Sequence, residues 1–422
     1  MNVPTPPTQS DSESDQANNR GSTLATYGSR LAIESKDSIL SPIASSRSRP
    51  RSIGAATESA DVIVTISDYR IALLPGDGIG PEVTESACAL LNAISALDPS
   101  LTFQTEELPW NAEFYLASGA MMPADGMTIL AQFDAIFLGA IGDMRVPDHI
   151  ALRQLIFAIR QGFNQYVNLR PIKLLHGVET PLRDRGPEDL DMVIVRENSE
   201  GEYSGIGGTL FGGSVDEVAL QTSVFSRRGV ERILRYGFEL ARAKGRPLSS
   251  VSKGNAQNFS GVLWDGIFNE ISAEYPDVTS NNLLVDAAAL HLVQHPEKFG
   301  VIVASNLFGD ILSDLGAALV GGLGFAASAN LNPERTFPSM FEPVHGSAPD
   351  IAGKDVANPV ASLWATGMMV GHLGRPDWER AVISAIEDVL AEGRIRTPDL
   401  GGHATTKEMT SAILGTLRSP EA

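Results

Sequence analysis

The sequence predicts an α/β protein in which parallel or mixed sheets are flanked by helices. Three observations predict this class. Short apolar runs typical of buried strands recur from Arg70 onward, and segments with helical periodicity lie between them. The chain has 422 residues, of which 43% are hydrophobic, and is therefore long enough to bury a large core. Strands that alternate with helices favour parallel pairing, because a helix can carry the chain back across the sheet.

The first strand is predicted at Arg70–Leu74, and a helix is predicted to begin at Pro81, where proline gives up no hydrogen bond. A second helix is bounded by Ser226, a candidate N-cap, and Gly245, a candidate stop. The other predicted strands are Ala135–Gly139, Met192–Val195, Leu283–Ala287 and Val301–Ala304. The residues expected to face the core are Val83, Ala87, Leu90, Leu91 and Ile94 in the first helix and Val230, Ile233, Leu234, Phe238 and Ala241 in the second.

Composition excludes several classes of protein. A formal net charge of −19 makes the chain a poor partner for nucleic acid or an anionic membrane. A single cysteine, Cys88, excludes an internal disulfide framework and a cysteine zinc site. The longest run without polar side chains, Leu315–Ala327, is too short to span a bilayer. We therefore expect a cytoplasmic protein without a transmembrane helix.

The serine-rich residues 1–66 lack apolar periodicity and are predicted to form a disordered tail, because they cannot bury enough surface to offset the entropy of ordering. A mitochondrial transit peptide is the alternative. Three arginines within residues 47–51 favour it, whereas three acids within residues 11–15 oppose it, since transit peptides are poor in acids.

A glycine-rich loop follows the first strand and resembles a dinucleotide-binding loop. Gly76 and Gly78 fit the first two positions of the G-x-G-x-x-G pattern, but Pro81 replaces the last glycine. No acid-ended second strand follows at the spacing of a Rossmann unit. The loop is therefore equally well explained as a tight turn between a strand and a helix.

Three acids are candidate metal ligands. Asp310 and Asp314 are four residues apart on a predicted helix, so both carboxylates project from one face and repel each other. A divalent cation with oxygen ligands would neutralise them. Asp286 interrupts a separate apolar run that begins at Leu283. The alternatives are a solvated acid pair near a helix start for the first two and a capping role for Asp286.

Three arginines lie in apolar segments, at Arg160, Arg170 and Arg196. An arginine that ends a buried strand is costly unless it meets an anion, and three together can hold a substrate carboxylate. Internal salt bridges, for example to Glu197, are the alternative.

A lysine and a tyrosine can supply acid and base chemistry near these charges. Lys253 is the only charged residue within residues 249–260, and Tyr203 lies in a polar segment rich in glycine that is predicted to be a loop. A further loop of small residues contains His345 and Asp350, and its acid can accept hydrogen bonds from ribose hydroxyls.

From Tyr69 to about Leu417 the chain resembles the metal-dependent β-decarboxylating dehydrogenases, which include isocitrate, isopropylmalate, homoisocitrate and tartrate/D-malate dehydrogenases. The segments that carry the resemblance occur in the order found in that family. They are Leu74–Val83, Asn168–Pro171, Asn306–Asp314 and His345–Ile351.

The resemblance implies an isopropylmalate dehydrogenase-like bilobed fold, which is α/β but not a Rossmann fold. Residues 67–165 and 318–422 are then the two parts of a large domain, and residues 166–317 are a small domain with a dimer arm. The implied assembly is a homodimer with shared active sites.

The resemblance also assigns roles to residues. Tyr203 is implied to be the acid that protonates the enol, and Lys253 the base that accepts the hydroxyl proton. NAD and Mg²⁺ or Mn²⁺ are the implied cofactors, with K⁺ as a further candidate ion. The implied metal ligands are Asp310, Asp314 and, from the other subunit, Asp286. The implied substrate-binding residues are Arg160, Arg170 and Arg196. The implied NAD-binding residues are Asn255, Glu342, His345, Gly346, Ser347, Ala348, Asp350 and Asn358. Asp350 favours NAD over NADP, because it would repel a 2′-phosphate.

Within the family, several segments are most similar to tartrate and D-malate dehydrogenases. This similarity predicts oxidative decarboxylation of a small D-malate-type dicarboxylate. Arg153 departs from these enzymes, which carry a bulky aromatic residue there, and the added cation suits an extra substrate carboxylate or faces solvent. The alternatives are a 3-isopropylmalate-type or other 3-substituted substrate, and a non-catalytic regulatory subunit. The latter predicts loss of the metal acids, the lysine or the tyrosine, all of which are present.

Overall fold

The computed structural model describes residues 66–420. The tail predicted at 1–66 and its transit-peptide alternative fall almost entirely on residues 1–65, which lie outside the described residues. No helix among the described residues is long and apolar enough to cross a membrane.

A mixed sheet with helices on its faces forms the framework. Its strands and those of one separate hairpin are β1 (Ser67–Gly76), β2 (Leu101–Glu107), β3 (Ala135–Ala140), β4 (Val167–Lys173), β5 (Asp191–Glu197), β6 (Gly201–Leu210), β7 (Val218–Val224), β8 (Leu248–Ser252), β9 (Ser280–Leu284), β10 (Val301–Ala304), β11 (Ala327–Leu331) and β12 (Ser339–Pro343). The sheet has the order β2-β1-β3-β12-β11-β4-β5-β10-β8-β9, and β6 pairs with β7 alone.

The direction of pairing changes in the middle of the sheet. Strands β2, β1, β3 and β12 pair parallel with one another in this order, and so do β5, β10, β8 and β9. Strands β11 and β4 pair antiparallel with each other and with β12 and β5. The strands up to β11 in this order come from residues 67–165 and 318–422, and the rest come from residues 166–317. The division into two domains stays a prediction.

Helices connect the strands and cover the sheet. They are α1 (Gly80–Leu97), α2 (Ala112–Ser118), α3 (Gly126–Leu130), α4 (Asp148–Ala151), α5 (Phe157–Gly162), α6 (Arg227–Lys244), α7 (Ser260–Ser272), α8 (Val285–Gln294), α9 (Asn306–Leu319), α10 (Val360–His372), α11 (Pro376–Glu392) and α12 (Thr406–Thr416). A turn of π-helix, Leu152–Ile156, joins α4 to α5. Most of α10 is buried, as expected for a helix that is apolar on all faces.

The predicted α/β fold class is confirmed, and most predicted elements lie where the sequence placed them. Helix α6 begins after Ser226, whose hydroxyl accepts a hydrogen bond from the Gly229 amide, and ends at Gly245 with φ +62°. The predicted inward faces of α1 and α6 are buried. The strand predicted at Leu283–Ala287 is wrong from Val285 onward, because β9 ends at Leu284 and α8 begins at Val285. Asp286 therefore lies in the first turn of a helix, where the helix dipole favours an acid.

The glycine-rich loop is a packed turn between β1 and α1. Gly78 has φ +58°, and a Cβ atom there would lie 1.9 Å from the Ser347 carbonyl oxygen. That carbonyl accepts a hydrogen bond of 2.8 Å from the Ile79 amide. The buried Asp77 carboxylate accepts from the amides of Ala112 and Gly142. Glycine is required because the loop touches the backbone of the Ser347 segment.

Candidate active site

A cavity of about 800 Å³ opens beside the middle of the sheet. Its walls come from the end of β3, the π-helical turn, α5, β4, β5, the β6–β7 hairpin, α9 and the segment after β12. The carboxyl ends of several strands meet there, a position where α/β proteins commonly bind ligands. Its charged and acid–base side chains include Arg160, Arg170, Arg196, Tyr203, Asp310 and Glu342.

Arg160 is placed by helix α5 and held by a buried ion pair. Its Nη2 lies 2.7 Å from the Glu342 Oε1, and both side chains are less than one-tenth exposed. The Nε of Arg160 is buried without a hydrogen-bond partner among the described residues. A buried donor without a partner is costly, so this guanidinium has capacity for an anion.

Arg170 and Arg196 share one carboxylate. The Nη1 of Arg170 lies 3.2 Å from the Asp310 Oδ1, and the Nη1 of Arg196 contacts the same oxygen. Asn306 accepts two further hydrogen bonds from Arg196, of 2.9 and 2.7 Å. Burial and the charges of Arg170 and Arg160 lower the pKa of Arg196, while Asp310 opposes them. An additional anion in the cavity would therefore stabilise these guanidiniums.

The predicted acid pair is on helix α9, as expected. Burial raises the pKa of Asp310, but the charges of Arg196 and Arg170 and the bond from Tyr203 outweigh it, so the pKa lies below its ordinary value. Asp314 is 3.7 Å from the Nη1 of Arg170 and more exposed. Burial and the negative charge of Asp310 raise the pKa of Asp314. The internal salt bridges considered for the arginines are thus present, and they involve the candidate metal ligands and Glu342 rather than Glu197.

Tyr203 lies on strand β6 and not in a loop, so the prediction of a loop is wrong. Glycines suggested a loop, but here they belong to a strand of the hairpin. The Tyr203 hydroxyl donates a hydrogen bond of 3.0 Å to the Asp310 Oδ2, and its ring stacks on Phe157 with centroids 5.7 Å apart. Burial and the charge of Asp310 raise the pKa of Tyr203, so its hydroxyl stays protonated at neutral pH.

Lys253 and Asp286 are paired with each other and are not part of the cavity wall of the same chain. The Lys253 Nζ lies 2.7 Å from the Asp286 Oδ1. Asn255 is exposed in the turn that follows β8. Within residues 66–420 of one chain, no three His, Cys, Asp or Glu side chains are grouped as a metal site. One subunit therefore brings together two of the three predicted metal ligands.

The segment predicted to bind NAD lines the first cavity and also a second one of about 530 Å³, with Gly346 in the lining of both. Ser347 lines only the second cavity and His345 only the first. The Nε2 of His345 is buried without a hydrogen-bond partner among the described residues. Burial lowers the pKa of His345, so the ring is neutral. Its Nδ1 lies 3.0 Å from the Gly346 carbonyl oxygen and donates to it, which leaves Nε2 as an acceptor.

The other predicted cofactor residues are more scattered. Ala348 has φ +40° and packs against the start of α1, while Asp350 is exposed. The Asn358 Nδ2 donates a hydrogen bond of 2.9 Å to the Asp399 Oδ2. Glu342 lines the first cavity and binds Arg160 rather than facing the second cavity. The roles assigned to these residues stay predictions.

Sequence reasoning missed some of the residues that hold the arginines. Asn168 accepts a hydrogen bond of 2.7 Å from the Arg170 Nε, and the Ser313 hydroxyl accepts one of 2.6 Å from the Arg170 Nη1. One signal was available for Asn168, because residues two apart on a strand face the same side. Glu202 and Gln221 also line the cavity from the hairpin and were not singled out.

The fold is α/β, and its cavity brings arginines, carboxylates and a tyrosine together at the ends of several strands. The sequence model of isocitrate/isopropylmalate dehydrogenase matches residues 70–413. The chain belongs to this family, and the prediction that it is a decarboxylating dehydrogenase of that family is confirmed.

Relatives and solved structures agree with this assignment. A probable tartrate dehydrogenase/decarboxylase of Agrobacterium vitis is 51% identical over 82% of this chain and 97% of its own length. A D-malate dehydrogenase (decarboxylating) of Escherichia coli is 49% identical over 82% of this chain and 97% of its own. The crystal structure of isocitrate dehydrogenase from Methylococcus capsulatus has a TM-score of 0.73 and 36% identity, over 83% of this chain and all of that one. The predicted similarity to tartrate and D-malate dehydrogenases is confirmed.

Proposed function

We propose that the protein oxidises and decarboxylates a D-malate-type 2-hydroxy diacid, such as tartrate or D-malate, with NAD and Mg²⁺ or Mn²⁺. The observation that carries the proposal is the convergence of Arg160, Arg170 and Arg196 on one cavity with Tyr203 and Asp310. Three guanidiniums suit a doubly charged substrate, since charge-assisted bonds to carboxylates are strong and directional. The cavity volume of about 800 Å³ is ample for a four-carbon diacid.

The acids of the site fit a hard divalent cation. Asp310 and Asp314 offer only carboxylate oxygens, the donors that Mg²⁺ and Mn²⁺ prefer. Burial and the charge of Asp310 raise the pKa of Asp314, and a bound cation would offset both effects. A third carboxylate, Asp286, is expected from a second copy of the chain. When bound, the metal would polarise the substrate 2-hydroxyl and NAD⁺ would accept the hydride.

The chain's own side chains then have distinct tasks. The three arginines hold the substrate carboxylate and fix the orientation of its hydroxyl-bearing carbon. Lys253 accepts the hydroxyl proton as the alcohol is oxidised. The oxidised acid carries its keto group β to a carboxylate, the arrangement that loses CO₂. Tyr203, protonated because of its raised pKa, donates a proton to the enol that remains.

A homodimer with shared sites is part of this proposal. Lys253 and Asp286 lie outside the cavity of their own chain, so a complete site needs both residues from a second copy. The β6–β7 hairpin also exposes large apolar side chains, including Phe211 at 69% and Leu220 at 59%. An exposed apolar patch of this kind is typical of a protein interface. The location in the cytoplasm stays a prediction.

A 3-substituted malate is the second candidate substrate, and one observation favours it. Arg153 lines the cavity, with its guanidinium over the Phe157 ring at 5.6 Å and against Gly205. No described acid lies within salt-bridge distance of Arg153, so its charge is free for an additional anionic group on the substrate.

The test is a substrate panel with purified full-length protein. NADH formation is followed with D-malate, the tartrate isomers, 3-isopropylmalate and malates that carry a third carboxylate, in the presence of Mn²⁺ and K⁺. Turnover of D-malate or a tartrate supports the first candidate, whereas preference for a 3-substituted malate supports the second. No turnover of any member contradicts the proposed function. Replacement of NAD by NADP in the same assay tests the cofactor preference expected from Asp350.

A further inference from the structure

Two of the three arginines that are proposed to hold the substrate carboxylate are connected by an unbroken chain of buried hydrogen bonds. The chain runs from Arg170 through Asn168, Asn330 and Glu342 to Arg160. Its four bonds are Arg170 Nε to Asn168 Oδ1 at 2.7 Å, Asn168 Nδ2 to Asn330 Oδ1 at 2.9 Å, Asn330 Nδ2 to Glu342 Oε1 at 2.8 Å and Arg160 Nη2 to Glu342 Oε1 at 2.7 Å. None of the five residues is more than 6% exposed.

Asn330 is the central member of this chain. Strand β11 lies between β4 and β12, and Asn330 is opposite Asn168 on one side and Met340 on the other. Its Oδ1 accepts from Asn168 and from Asn198, both at 2.9 Å. Its Nδ2 donates to Glu342 and, at 3.4 Å, to the Met340 carbonyl. The full hydrogen-bonding capacity of the amide is therefore used.

The arginines at the two ends of this hydrogen-bond network determine which atom donates and which accepts in each of its bonds. A guanidinium only donates, so Asn168 must present its oxygen to Arg170 and its amide nitrogen to Asn330. Asn330 must then present its own nitrogen to Glu342, whose carboxylate also accepts from Arg160. A flipped Asn330 amide would place donor against donor and acceptor against acceptor. A buried polar network with a single allowed arrangement is rigid.

We propose that Asn330 is a positioning residue that sets the guanidiniums of Arg160 and Arg170 relative to each other before the substrate arrives. This inference rests on the proposed function in one respect, that these arginines bind the substrate carboxylate. Arginine side chains lose rotamer freedom when they bind a ligand, and the buried chain removes that freedom in advance. Asn330 itself does not line the cavity, so it acts only through its neighbours.

Asn330→Asp tests the inference, because it keeps the shape of the side chain but replaces two donors with a second carboxylate beside Glu342. We expect the KM for the hydroxy acid to rise about 10- to 100-fold near pH 8, with kcat changed by less than about threefold. The increase in KM should shrink at lower pH, where one of the paired carboxyls takes up a proton and a donor is restored. Asn330→Leu should raise KM without this pH dependence.

Ser328→Ala is the matched control. The Ser328 hydroxyl accepts a hydrogen bond of 2.8 Å from the Asn168 Nδ2, and Ser328 is as buried as Asn330. It is not one of the residues that connect Arg170 to Arg160. Its KM should stay within about twofold of wild type, and NAD affinity should be unchanged in all variants. Should Asn330→Asp not fold, Asn330→Ser is measured instead, since its smaller side chain admits a water in place of the amide.

The outcomes separate the two proposals. Wild-type protein without turnover on any diacid contradicts the proposed function. The positioning role is overturned if the wild-type protein turns over a diacid and the folded Asn330→Asp variant has an unchanged KM at every pH. An equal rise in KM for Ser328→Ala also overturns it, because the effect would then belong to packing in general.

Discussion

The hydroxyl of Tyr203 donates a 3.0 Å hydrogen bond to the Asp310 Oδ2, while the other oxygen of Asp310 accepts from Arg170 and Arg196. A phenol from the hairpin and an acid from helix α9 are thus joined at the cavity wall. Because the negative charge of Asp310 adds to the effect of burial, the pKa of Tyr203 is raised and the proton stays on the phenol. This relationship predicts that the tyrosine donates a proton during turnover.

Replacement of Tyr203 by Phe should remove this donor while leaving the arginines in place. We expect kcat for oxidative decarboxylation to fall about 100- to 10,000-fold, the range found for loss of a general acid or base. Substrate affinity, measured by calorimetry, should change only a few-fold. Tyr166→Phe is the control, because the Tyr166 hydroxyl bonds to Glu334 outside the cavity. Activity retained in Tyr203→Phe would show that another group protonates the enol.

Shared active sites predict that two inactive variants restore activity together. Lys253→Ala and Tyr203→Phe should each have strongly reduced activity alone, since each proposed site takes Tyr203 from one subunit and Lys253 from the other. Co-expression should form mixed dimers with one intact site out of two, so the unfractionated mixture should recover roughly a quarter of wild-type activity and the mixed dimers about half. Activity is measured on mixed dimers isolated through two different tags, one on each subunit. A mixed dimer with no recovered activity would place both residues in the site of a single subunit.

Metal binding should depend on the acid pair of α9. Asp310→Asn and Asp314→Asn should each weaken Mn²⁺ binding at least about tenfold, because each removes an ionised oxygen ligand. Titration calorimetry or the electron paramagnetic resonance of Mn²⁺ gives this affinity without an activity assay. Asp388→Asn, an exposed acid on α11, is the control. Chelation with EDTA should abolish wild-type turnover, and added Mn²⁺ should restore it.

Arg153 should decide between small and larger substrates. If it binds an additional anionic group, Arg153→Ala should lower kcat/KM for a malate with a third carboxylate at least about tenfold while leaving D-malate within about threefold. The ratio of the two kcat/KM values is the measurement. Arg228→Ala, an exposed arginine on α6, serves as the control. An equal loss on both substrates would assign Arg153 to packing on Phe157.

Asp98 should give a pH-dependent contribution to stability. Burial raises its pKa, but hydrogen bonds from Ser100, Arg375 and Trp378 outweigh burial and lower the pKa to about 2. The folded protein therefore binds this proton more weakly than the unfolded chain. The stabilisation is fully present above about pH 4 and is lost as the pH falls toward the folded value.

Asp98→Asn should therefore lower the free energy of unfolding by about 1–2 kcal/mol at neutral pH and by less near pH 3. Urea unfolding at the two pH values measures the difference. Asp125→Asn is the control, because Asp125 is exposed and its side chain caps no helix. A difference that does not depend on pH would mean that the charge of Asp98 is not responsible.

Local patterns predicted most of the fold and the residue types of the site. The acids of α9 were identified from a spacing of four, and the bounds of α6 from Ser226 and Gly245, because each signal lies within one turn of helix. Two errors, the strand at Leu283–Ala287 and the loop at Tyr203, arose where an apolar run or a glycine-rich segment suits more than one local structure.

The sequence by itself determined the fold class, the acids, the guanidiniums and the family, since these depend on periodicity, spacing and ordered motifs. Only the tertiary structure showed that Asn330 connects Arg170 to Arg160, and that Lys253 pairs with Asp286 away from the cavity of its own chain. The physical reason is distance along the chain. The hydrogen bond from Asn168 to Asn330 joins residues 162 positions apart and leaves no periodic trace, because its partners meet only when the sheet brings β4 beside β11.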